Sequence, residues 1–159
     1  MKKLRLFLLV TAFVVLAMML MSATLANRPA YSASLRGENE VPPVVTDARG
    51  RFAAKVNPSE TALRVKVQVT HISDVFAAHI HCGAPGVNGP VGVTLFSGGP
   101  VSFGSPGFLT DATFTAPNAG NACGWETIAD VVDAMESGGA YVNVHTLGVP
   151  SGEIRGNIQ

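Results

Sequence analysis

Between Leu63 and Thr70 the chain alternates without a break, Leu63, Val65, Val67 and Val69 against Arg64, Lys66, Gln68 and Thr70. Side chains leave an extended chain on opposite faces in turn, so a period of two predicts a strand with one face in the core and one in water. Half-solvated strands belong to antiparallel sheets. Shorter runs of the same kind predict strands at 32–36, 51–56, 75–81, 91–96, 109–115, 140–146 and 153–158, separated by turn signals such as Asn57-Pro58-Ser59 and the Gly148 to Gly152 segment. About eight short strands at this spacing predict an all-β fold, a sandwich or a barrel. One stretch departs from the pattern. Trp125, Ile128, Val131, Val132 and Met135 recur at helical spacing and stop before Gly138-Gly139, which predicts one helix over 126–137 crossing an end of the sheets.

The first residues follow a different logic. Lys2, Lys3 and Arg5 precede a 16-residue run from Leu6 to Met21, and small or polar residues follow to Ala26. That order is the one a secretion signal uses, with cleavage expected after Ala26; the alternative is an uncleaved anchor. Either way the domain over 27–159 is expected outside the cytoplasm, secreted, periplasmic or at the cell envelope, with the membrane touched only through this segment. The signal segment holds three of the eleven basic residues and none of the eleven acidic ones, which leaves eight against eleven and a net charge near −3 for the rest. No basic stripe or cluster is visible along the sequence, so no nucleic-acid partner is expected.

Four histidines are present, and three of them draw notice. His79 and His81 sit two apart in an expected strand and share a face, with Ile80 directed to the core. His145 lies on a second strand, two residues from Asn143, with Val142 and Val144 on the opposite face. If the strands are neighbours, three imidazoles converge, a ligand set for zinc or copper with a position left open. The alternative is that the histidines brace the Gly-rich turn from Gly83 to Pro90 through backbone carbonyls. His71, near a strand end, is expected in solvent. Cys82 and Cys123 are the only cysteines, and an exported chain favours a disulfide between them over a copper thiolate at Cys82. Glu38, Glu40 and Glu153 stand near turns without an evident pairing, and the 37–43 segment is expected to be an exposed loop. No Gly-x-Ser-x-Gly elbow supports a serine hydrolase.

Four segments together resemble the CHRD domain, a family named for chordin and found in exported bacterial proteins. They are Leu35-Arg36-Gly37-Glu38-Asn39-Glu40-Val41-Pro42-Pro43, the His79 to Pro90 segment, Gly139 to Thr146, and Gly152-Glu153-Ile154-Arg155-Gly156. The resemblance implies an immunoglobulin-like β-sandwich with distant similarity to copper/zinc superoxide dismutases. It maps His79, His81 and His145 onto three copper histidines of those enzymes, and Arg155 onto their substrate-guiding arginine. No zinc loop rich in His and Asp and no fourth copper ligand is present. The expected function is a non-enzymatic binding module for an unidentified extracellular protein or ligand, with copper or zinc at the histidines and Asn143 and Arg155 behind them. A copper-dependent extracellular oxidoreductase and a purely structural domain are the alternatives.

Overall fold

The structure, a computed structural model, describes residues 30–159, so the expected signal segment 1–26 lies outside the described residues. Eight antiparallel strands form one sheet: β1 (Ala30–Arg36), β2 (Arg49–Val56), β3 (Leu63–Thr70), β4 (Ile72–Cys82), β5 (Val91–Phe103), β6 (Gly107–Phe114), β7 (Ala140–Thr146) and β8 (Ile154–Asn157). Their order across the sheet is β5-β4-β7-β8-β1-β2-β3-β6. The two edge strands are consecutive in the chain, and the Thr110 hydroxyl donates to the Leu95 carbonyl across them at 3.0 Å. The sheet thus curls until its edges meet, and the all-β expectation holds in a barrel-like form.

The alternation that predicted β3 is seen in its burial, with Leu63, Val65 and Val67 at 0% exposure and Arg64 and Lys66 in solvent. Each such fully buried side chain contributes about 1.5–3 kcal/mol. β4 is longer than expected, as is β5, which continues through Gly98-Gly99-Pro100 to Phe103 across several register shifts. These bulges bend the strands so that the closing edge can curl.

The expected helix is α1 (Ile128–Glu136). Thr127 caps it by accepting from the Asp130 amide while the Asp130 carboxylate accepts from the Thr127 amide, and Gly138 at φ 71° ends it. Ile128, Val131, Val132 and Met135 join the core from one end of the barrel. Trp125 closes the same end over Gly92, where any Cβ would lie 2.1 Å from the indole. Beside it the expected disulfide is present, joining Cys82 at the end of β4 to Cys123 in the loop before α1. No helix among the described residues is long and apolar enough to cross a membrane.

The expectation that basic residues are unclustered is corrected by the register. Arg36 pairs with Arg49 across β1 and β2, and Lys55 with Arg64 across β2 and β3, so cations far apart in sequence share one outer face.

Candidate metal centre

β4 and β7 are hydrogen-bonded neighbours, with Ala77 opposite His145, His79 opposite Asn143 and His81 opposite Tyr141. Directly opposed residues share a face. The pairing therefore puts His79, His81, Tyr141, Asn143 and His145 on the outer side, while Ile80, Val142 and Val144 fill the core at 0% exposure. The three imidazoles converge: one potential ligand atom from each lies within 4.8 Å of the others. His81 and His145 are buried, and His79 is half-buried.

Backbone carbonyls set the tautomers. His81 Nδ1 lies 2.9 Å from the Gly89 carbonyl and His145 Nδ1 2.9 Å from that of Pro150. A carbonyl only accepts, so both Nδ1 atoms carry the proton and both Nε2 atoms present lone pairs. His145 Nε2 accepts from His79 Nδ1 at 3.0 Å. His81 Nε2 is buried with no hydrogen-bond partner among the described residues. An orphaned buried acceptor costs about 1–3 kcal/mol, and a cation at the centre removes that cost. Metal–nitrogen bonds of about 2.0–2.1 Å at tetrahedral angles put the nitrogens of one site about 3.4 Å apart, so this set would close by about 1.4 Å at most on taking up one ion. The two readings of the histidines use different atoms: Nδ1 braces the turns at Gly89 and Pro150, and Nε2 is left for a ligand.

A second layer holds this arrangement. The Tyr141 ring stacks on His81 with centroids 4.7 Å apart and planes at 9°, and the Arg155 guanidinium lies 3.4 Å over the Tyr141 ring. Both contacts are too close to share one ring face, so Tyr141 is sandwiched between them. Its hydroxyl accepts from the Gly89 amide at 3.1 Å and donates to the Gly89 carbonyl at 3.3 Å. Arg155 donates to the Val87 carbonyl at 2.7 Å and to Asn88 Oδ1 at 2.9 Å, which clamps the 83–90 loop over the site. At 1% exposure, Arg155 faces protein rather than solvent, so it acts as a brace and not in the guiding position that the resemblance implies.

A family model for the CHRD domain matches residues 31–158. The chain belongs to the CHRD domain family. Comparison with curated proteins and with solved structures gives no match.

In this CHRD domain the electrostatics favour neutral imidazoles. Burial, then the nearby charges of His145 and His81, depresses His79 to about 4. Burial is also the first cause that lowers His81 and His145, against the opposing hydrogen bonds to Gly89 and Pro150. All three rings are therefore neutral at neutral pH, each with one nitrogen lone pair free of a proton, the state a metal requires.

The acids fall out differently from expectation. Glu40 is not in an exposed loop: it is 5% exposed, accepts from Asn143 Nδ2 at 3.1 Å, and burial pushes its carboxyl up to about 7. The linear sequence gives no sign of this, because the 3₁₀ turn Gly37–Asn39 folds Glu40 back onto β7. Glu153 instead accepts from the hydroxyls of Thr46 and Thr146, both at 2.7 Å, and Glu38 stays exposed. Tyr141 was within reach of sequence reasoning, since it stands two and four residues before Asn143 and His145 on one strand. His71 is exposed, as expected.

Proposed function

We propose that this CHRD domain works outside the cytoplasm as a binding module that holds one copper or zinc ion on His79, His81 and His145. A single observation carries the reading: two of the three imidazoles have their Nδ1 protons pinned on backbone carbonyls, which aims their Nε2 lone pairs inward, and one of these is buried with no partner. Such hydrogen bonds are the usual device for fixing the ring orientation of metal-ligating histidines. Three imidazoles leave a coordination position free, and His79 is the half-exposed side through which a further ligand would approach. The disulfide and the expected secretion signal fit an extracytoplasmic setting, where thiols oxidise.

Metal content after loading with copper or zinc tests the proposal, alongside His79→Ala, His81→Ala and His145→Ala. Near one metal per chain, lost in each variant, is the expected result. A chain that retains no stoichiometric metal, or a His81→Ala variant with unchanged content, would overturn it and leave the bracing of the two turns as the role of the histidines. Redox turnover by the copper-loaded protein would move the reading to an oxidoreductase.

A further inference from the structure

The seven cations among the described residues are unevenly placed. Arg155 is buried, and the other six, Arg36, Arg49, Arg51, Lys55, Arg64 and Lys66, all project from the outer face of the β1-β2-β3-β6 half of the sheet. Within these four strands the one acid is Asp111, which pairs with both Arg64 and Lys66. The Glu126 to Glu136 segment, by contrast, carries four acids and no base.

Two features of this face suit an anionic partner, even with Glu38 3.8 Å from Arg36. The first is the register. Arg36 stands directly opposite Arg49, and Lys55 directly opposite Arg64. Like charges in opposed positions of a sheet repel and cost stability, a cost that an anionic partner removes. Arg51 and Lys55 have no ion pair or side-chain hydrogen bond among the described residues. The second feature is a groove of about 330 Å³ in which Arg36, Arg49 and Arg51 alternate with Ser34, Gln68 and Thr70.

We propose that this face docks an acidic polysaccharide. Arginine forks match carboxylate or sulfate oxygens in pairs, and the hydroxyl and amide groups between them match sugar hydroxyls. Other polyanions fit less well. Single-stranded nucleic acid is held by a series of aromatic platforms, and this face offers one, Phe108, at 58% exposure. A bilayer surface would call for apolar side chains to insert, and apart from Phe108 the exposed positions of these strands are small or polar.

Binding of the purified full chain to dextran sulfate and to polygalacturonate at low salt provides the test, with duplex DNA and anionic phosphatidylglycerol vesicles as competitors. The expected result is binding that weakens steadily with salt and falls at least tenfold in Arg36→Gln/Arg51→Gln. The salt slope should drop by about one for each cation removed. In the control Glu126→Gln/Asp133→Gln, which changes net charge by two units in the opposite sense at the end of the barrel closed by α1, affinity should stay within about twofold of wild type. Neither cation contributes to the core, so circular dichroism of the variants should match wild type, and melting should be unchanged or slightly higher because the loss of Arg36 relieves its repulsion with Arg49. No binding to either polysaccharide at low salt overturns the proposal, as does an Arg36→Gln/Arg51→Gln variant that binds like wild type. Tighter binding of DNA or vesicles than of both polysaccharides overturns the carbohydrate assignment. Metal content plays no part in any of these readouts, so the result stands apart from the fate of the histidine site.

Discussion

Tyr141 does more for the histidine site than its distance from any ligand atom suggests. Its hydroxyl fixes both the amide and the carbonyl of Gly89, and that carbonyl holds His81 Nδ1. Removing the hydroxyl leaves the ligands in place and loosens one of them, so Tyr141→Phe should keep one metal per chain while lowering affinity about tenfold, the low end for outer-layer partners. A competition titration against a chelator of known affinity would show it. Protons compete at the same nitrogens. The folded histidines lie below the usual 6.5, His79 at about 4, so the metal-free protein resists protonation that the unfolded chain accepts. Stability from this source is complete above pH 6.5 and is lost as pH falls toward 4. Glu40 slopes the other way: its folded value near 7 exceeds the unfolded 4.5, so its contribution is complete below pH 4.5 and is lost as pH rises to 7. Glu40→Gln keeps the acceptor for Asn143 and removes the opposing slope. Melting curves between pH 4.5 and 6.5 should therefore be steeper in pH for the variant than for wild type; an equal or shallower dependence would rule out a buried protonated Glu40.

Among the elements, the 83–90 loop matters most, because it carries the carbonyl that orients His81 and is clamped by Arg155 from β8. Gly89 is packed too tightly to accept a side chain, since a Cβ would stand 1.6 Å from the Cys82 carbonyl oxygen. Gly89→Ala must shift the loop, and metal retention should fall with it while the far half of the barrel is unaffected. The disulfide ties the other end of this loop region to the segment before α1 over a separation of 41 residues. On the chain-entropy estimate such a closure contributes about 4 kcal/mol. Cys82→Ser/Cys123→Ser should accordingly lower the thermal midpoint by many degrees, and a midpoint unchanged by reductant would show that the bridge contributes nothing. At the opposite side, Lys55→Glu turns a repulsive pair with Arg64 into an attractive one. It should raise stability by about 0.2–1 kcal/mol in a urea titration.

For the molecule as a whole, a ligand that binds only the folded state stabilises it by mass action. Copper or zinc at a hundred times its dissociation constant should add about 2.7 kcal/mol to unfolding, read as a concentration-dependent midpoint that the His81→Ala variant lacks. The two outer faces of the barrel differ in character: the β4-β7-β8 side carries a covered polar site, and the β1-β2-β3-β6 side an open cationic surface. Much of this was legible locally. The period of two in β3, the helical spacing around Val131 and the shared face of His79 and His81 all follow from where a side chain leaves a regular backbone, which neighbouring residues decide, and the cysteine pairing follows from there being two cysteines in a chain expected to be exported. Which strands lie side by side is not a local property. That β4 meets β7 brings His145 to the other two histidines; that the 3₁₀ turn folds back buries Glu40; and that β1, β2 and β3 align in register gathers six cations that the sequence scatters over thirty-one positions. The sequence determined the faces of each strand, and only the tertiary structure decided which faces are continuous, because cross-strand register is set by packing of the whole core rather than by any segment within it.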